Sequence, residues 1–180
     1  MKKYVAILRG INVGGHRKLL MAGLKTHLTK VGLKNVSTYI QSGNVSFESD
    51  LKPNEIENLI TFTIKNKYGY NVPVIVRNHK ELLALVNGNP YLNSVGGQIE
   101  LLYVTFFKSV PEKDKVTAFN ELTFDGDEFS LMDQHAYLKY MTKSSNSKLS
   151  NNIMESRLKV TCTSRNWKTC LKLLEMGVGE

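Results

Sequence analysis

Cysteine is scarce in this chain: Cys162 and Cys170 stand near the C-terminus with no second pair and no histidine at metal-ligand spacing. That excludes a disulfide framework and a zinc ribbon, and it fits a reduced, cytoplasmic protein. The histidines at 16, 27, 79 and 135 are scattered without an HExxH pattern, so no metal is expected. No apolar run approaches the roughly 18 residues of a membrane helix. The opening run Tyr4 to Leu8 is interrupted by Arg9, too soon for the core of a signal peptide. No membrane partner and no cofactor are expected. G-x-S-x-G and G-x-G-x-x-G are absent as well, which removes the usual nucleophile elbow and the dinucleotide fingerprint.

The chain has 180 residues, 42% of them apolar and 22% charged, enough to bury a core and remain soluble. This length suits one domain or two small ones. Its net charge of +8 is unevenly spread. Residues 1–90 hold 13 Lys and Arg against 5 Asp and Glu, whereas residues 91–135 hold 3 against 8 and residues 136–180 hold 8 against 3. The order basic, acidic, basic predicts that a polyanion prefers the first half, joined by the tail if folding brings them together.

Periodicity supplies the elements. Residues 4–8, YVAIL, read as a buried strand. Leu20, Leu24, Leu28 and Val31 then recur at helical spacing, with Gly32 as the stop. VSTYIQSGNVSFES reads as a hairpin around Ser42-Gly43-Asn44. Pro53 opens a second helix bearing Ile56, Leu59, Ile60 and Ile64, and residues 72–76, VPVIV, form a fourth strand. After a short helix at 79–86, the loop-like stretch 87–98 marks a boundary between domains at 1–92 and 93–180. Beyond it come a strand at 99–107, a helix at 112–120, two strands about Asp133-Gln134, a helix near 148–157 and the strand KVTCT. A last amphipathic helix begins near Arg165, with Trp167, Cys170, Leu171 and Leu174 on its apolar face. The result is an α+β chain of two ferredoxin-like βαββαβ halves, each an antiparallel sheet with its helices on one face. The repeat is visible here in element order and not in residue identity.

Three stretches can carry chemistry. RGINVGGHRK, at 9–18, combines glycines with cations between a strand and a helix, an arrangement able to cradle an anion. Arg9, Gly10, Asn12, Gly14, Gly15, Arg17 and Lys18 are its candidates, although a plain corner would look the same. Gly10 and Gly15 have P-loop spacing, but His16 and Arg17 stand where Lys and Ser/Thr belong. In YIQSGNVSF, Gln41, Ser42 and Asn44 can bind a ligand or simply make the turn. TSRNWKT places Arg165, Asn166 and Lys168 at the start of the last helix, where free amides favour anions. Asp125, Asp127, Glu128 and Asp133 cluster without the rest of a calcium loop.

RGINVGG at 9–15, YIQSGNVSF at 39–47 and TSRNWKT at 163–169, in that order, resemble the bacterial family called domain of unknown function 1697. The resemblance implies two ferredoxin-like halves and a cytoplasmic location. It brings no activity. The residues themselves favour binding of a phosphate-bearing ligand, a nucleotide or nucleic acid. The alternatives are a metal-independent, acylphosphatase-like or phosphate-ester hydrolase, in which Asn12 or Asn44 orients water, and a protein-interaction module using the acidic middle segment.

Overall fold

Continuous apolar runs and broken ones build different strands of this protein, and the computed structural model, which describes residues 1–178, shows why. By its internal contacts the chain divides into two compact units. One is Met1–Leu85 with the described residues from Lys172 onward, and the other is Val86–Leu171. The first half runs β1 (Lys2–Leu8), α1 (Met21–Lys30), β2 (Lys34–Tyr39), β3 (Asn44–Ser49), α2 (Pro53–Tyr68), β4 (Val74–Asn78) and α3 (His79–Asn87). A 3-10 turn at Ile99–Leu101 precedes β5 (Leu102–Phe107), α4 (Lys113–Asn120), β6 (Glu128–Leu131), β7 (His135–Lys139), α5 (Asn151–Leu158), β8 (Cys162–Asn166) and α6 (Trp167–Met176). Both sheets are antiparallel, with orders β2-β3-β1-β4 and β6-β7-β5-β8, so each half is a ferredoxin-like βαββαβ unit.

In β1, alternate residues Tyr4, Ala6 and Leu8 join Leu24 and Leu28 of α1 and Ile56, Ile60 and Ile64 of α2 in one core. Val5 and Ile7 point to the opposite face, yet they too are fully buried. Burial on both faces is the reason YVAIL is apolar throughout. The edge strand β2 buries only Val36 and is otherwise polar. In the second unit, Phe107, Leu138, Met154, Leu158 and Phe119 share a core. There the rings of Phe119, Phe124 and Phe129 lie 5.0–5.8 Å apart. Carboxylates cover amides of β4 and β8: Val76 N–H donates to Glu57 Oε1 (3.0 Å), Asn78 N–H to Glu81 Oε2 (2.7 Å) and Cys162 N–H to Glu155 Oε1 (2.9 Å). A strand whose amides are already bonded offers a poor template for a stray chain.

The duplication is legible in residues after all. Tyr4–Leu8 pairs with Val74–Asn78 in the register by which Tyr103–Phe107 pairs with Cys162–Asn166. Under that register Tyr4-Val5 matches Tyr103-Val104, and Arg77-Asn78-x-Lys80 matches Arg165-Asn166-x-Lys168. The matched asparagines do the same work, since Asn78 Oδ1 accepts from Glu81 N–H (3.0 Å) and Asn166 Oδ1 from Thr169 N–H (2.8 Å). Each starts a helix as its N-cap. Five matching identities spread over two separated stretches are too few to see without the register.

Several boundaries move. Leu20 is not on the buried face of the first helix: it precedes the helix in extended conformation and is 77% exposed, while Met21, Leu24 and Leu28 make the apolar face. The fourth strand begins at Val74, and the strand expected from residue 99 begins at Leu102 after the 3-10 turn. The fifth helix starts later than its polar lead suggests, at Asn151, because Ser150 Oγ accepts from Ile153 N–H (3.4 Å). The last helix starts at Trp167, and pairing with β5 holds Arg165 and Asn166 in β8. On α6 the buried residues are Trp167, Thr169, Cys170 and Leu173; Leu171 and Leu174 lie at the margin. Trp167 is 2% exposed. Its replacement by alanine is expected to cost about 3–5 kcal/mol in urea or thermal unfolding, the range for deleting a large core aromatic. An unchanged midpoint would show that the indole contributes no core packing.

Candidate functional site

The segment joining β1 to α1 looks in sequence like a loose glycine loop, but its backbone is a miniature hairpin. Val13 and His16 form an antiparallel bridge, with His16 N–H donating to the Val13 carbonyl (3.0 Å) and Asn12 N–H to that of Arg17 (3.3 Å). Gly14 and Gly15 occupy the two central positions at φ 57° and 78°. A two-residue hairpin turn with both central φ values positive is the type that glycine pairs favour. The base of this arm is fixed. Ile11 and Leu19 are buried, and Asn12 lies between them at φ 54°. Its Nδ2 donates to the carbonyls of Leu19 (2.9 Å) and Gln41 (2.7 Å), while its Oδ1 accepts from Leu19 N–H (2.8 Å). The outer residues 13–18 are all exposed.

The SGN turn is the socket for this base. Gly43 has φ 86°, and a Cβ there would come within 2.7 Å of Ile11 Cδ1 and 2.8 Å of Leu8 Cβ. Leu8 N–H donates to the Gly43 carbonyl (2.8 Å). Asn44 is fully buried, and its Nδ2 donates to the Tyr39 carbonyl (3.1 Å) and to Ser42 Oγ (3.2 Å). Gln41 lends its backbone oxygen to Asn12. The structure thus brings Asn12, Gln41, Ser42 and Asn44 together as scaffold around the arm.

The cations have a different setting. Arg17, at φ 47°, folds its guanidinium back so that a Cβ on Gly10 would be 3.4 Å from Nη1. Lys18 is exposed, and on the solvent side of α1 so are Lys25 and Lys30. Among the described residues none of these four makes an ion pair with a carboxylate. The first turn of α1 contains no acid, and no side chain caps it. One sequence signal announces this surface directly: residues 1–47 contain no Asp or Glu but eight Lys and Arg. Averaging charge over the first ninety residues conceals it.

Arg165 is not part of a cationic helix face. It lies in β8, 7% exposed, with Nη1 donating to Thr163 Oγ1 (3.0 Å) and to the Ser164 carbonyl (2.8 Å). Burial lowers its pKa to about 10. Asn166 is exposed but uses its side-chain oxygen as a helix cap, and Lys168 is exposed. Burial also pushes the Cys170 thiol up to about 12, so it is no nucleophile at neutral pH. No group of three or more His, Cys, Asp or Glu suited to a metal occurs among the described residues.

A family model described as Protein of unknown function (DUF1697) matches residues 1–137. The chain belongs to this family. The matched stretch includes the arm and its socket. A solved structure titled as that of the conserved bacterial protein SP0830 from Streptococcus pneumoniae is similar over 98% of both chains, with a TM-score of 0.79 and 24% identity. This likeness supports the fold. No curated protein matches the chain.

The two kinds of glycine in the arm and its socket should respond differently to a methyl group. Gly15→Ala meets nothing within 4 Å, so only its left-handed backbone is penalised, by about 1–2 kcal/mol. Gly43→Ala adds overpacking against Leu8 and Ile11, about 1–3 kcal/mol more. Urea unfolding should rank Gly43→Ala well below Gly15→Ala. Equal stability would mean that Ile11 moves freely and the socket is loose.

Proposed function

We propose that this protein binds a phosphate-bearing ligand, a nucleotide or a nucleic acid, through the basic arm after β1 and the exposed face of α1. One observation carries the reading. The second half makes the same strand-to-helix connection with five residues, 108–112, whereas the first half uses twelve, 9–20. The equivalent backbone bonds are kept on both sides of the comparison, Arg9 N–H to the Pro73 carbonyl (3.0 Å) and Lys108 N–H to that of Thr161 (2.9 Å). Closing this fold therefore does not require a glycine-tipped hairpin. What the extra length adds is an exposed, cation-bearing hairpin in a segment free of carboxylates, a setting that attracts anions.

The hydrolase alternative is less well supported, because Asn12 and Asn44, its water-orienting candidates, hold the arm and the turn. The interaction-module alternative loses weight too. Asp125 pairs with Lys148 (2.9 Å) and Glu128 with Lys139 (2.7 Å), while Asp127 accepts from Met141 N–H (2.8 Å) and from Ser147 Oγ–H. No described helix is long and apolar enough to cross a membrane. With both thiols free and buried, the reading places the protein in the cytoplasm, where phosphate polymers and nucleotides are plentiful.

Heparin chromatography tests the surface. The protein should be retained, and Arg17→Ala with Lys18→Ala should elute at clearly lower salt while its thermal midpoint stays within about 0.5 kcal/mol of stability, as expected for exposed charges. Failure of the unaltered protein to bind heparin would overturn the reading.

A further inference from the structure

A ferredoxin-like sheet offers single-stranded nucleic acid one well-known opportunity, an open face on which aromatic side chains stack splayed bases. Here that opportunity is closed. On the sheet face opposite α1 and α2, Val5, Ile7 and Ile75 are fully buried, and so are Asn44 and Ser46 of the neighbouring strand. Tyr4 and Phe47 lie on the helix-covered side, inside the core. Phe62 on α2, 64% exposed, is the one exposed Phe, Tyr or Trp among the described residues, and the arm offers a single ring, the exposed imidazole of His16. Val13 (65% exposed) and Leu20 (77% exposed) are the arm's exposed apolar residues, and neither is a stacking platform.

Resting on the anion-binding reading above, we infer that the ligand is duplex nucleic acid, contacted by the arm as a two-stranded ribbon with α1 beside it. Three physical features favour a duplex. Its two strands present about one negative charge per 1.7 Å of axis, the densest array of phosphates available to a surface that recognises charge alone. Its bases remain stacked on each other, so no aromatic platform is needed. A two-stranded ribbon, with strands about 4.8 Å apart, has the width that a major groove of about 12 Å admits. Arg17 and Lys18, on the returning strand of the ribbon, are the residue types that meet phosphates and guanine edges.

Fluorescence anisotropy can separate this from its neighbours, using a duplex of about 20 base pairs, an oligothymidine strand of about 20 nucleotides and inorganic polyphosphate at matched salt. The duplex is expected to bind at least about fivefold tighter than either other probe. With Arg17, Lys18, Lys25 and Lys30 engaged, log K should fall against log salt with a slope of about −3.6. Arg17→Ala with Lys18→Ala should weaken duplex binding and reduce that slope by about half. Lys65→Ala with Lys67→Ala, an equal loss of exposed charge at the end of α2, should change neither. Oligothymidine or polyphosphate binding as tightly as the duplex overturns the duplex assignment but leaves anion binding intact. An equal loss from the two variants overturns the arm as the contact. If none of the three probes binds, the anion-binding reading itself fails.

Discussion

The first half is organised about the approach of Gly43 to Leu8 and Ile11. Only a residue without Cβ lets the turn between β2 and β3 close over the end of β1, where a methyl would lie 2.7–2.8 Å from two core side chains. That approach sets Leu8 N–H on the Gly43 carbonyl and, two residues earlier, brings the Gln41 carbonyl within reach of Asn12. Asn12 then fixes the chain at Leu19, which fixes the entry to α1. One steric constraint in a turn is converted, through a single amide side chain, into the placement of the hairpin arm that leaves the same end of the sheet's central strand.

The duplicated architecture acts as an internal control on this reasoning. Where the halves agree, the fold needs the feature: the tyrosine-valine entry of the central strand, the asparagine cap after the last strand, and the backbone bond from the residue following that central strand. Where they differ, the fold does not need it. The arm falls in the second class. So does the contrast in charge, since the segment before Glu48 has no acid while the acids of the second unit make ion pairs and backbone bonds locally.

Much of the fold was readable because strands and helices here follow burial. YVAIL, the Leu24 and Leu28 pair, Pro53 and the Ile56-Ile60-Ile64 stripe each have one physical interpretation, and the two βαββαβ halves follow from their order. The arm was harder. Gly-Gly between Val13 and His16 is a hairpin signal, but its flanks lack the long alternating strands that usually accompany one, so the glycines read as a general-purpose loop. Arg165 was misplaced for a related reason. Thr163 and Ser164 are good cap residues, yet pairing with β5 extends the strand past them and leaves the cap to Asn166. Local preference favours an earlier helix start; tertiary pairing sets a later one.

With both faces of the β1 strand buried, the proposed binding surface lies in the connections at the ends of the strands. The acid-free segment then has an energetic meaning. The exposed cations of the arm and α1, Arg17, Lys18, Lys25 and Lys30, make no ion pair with a carboxylate among the described residues, and whatever repulsion they exert on one another is screened by salt and, on the proposed function, relieved by a polyanion. A ligand that prefers the native state raises its stability by mass action, so on the proposed function the same charges would couple the protein's stability to occupancy. The fold tolerates such repulsion because these four cations are exposed, while Leu8, Ile11 and Leu19 beneath the arm are buried and apolar.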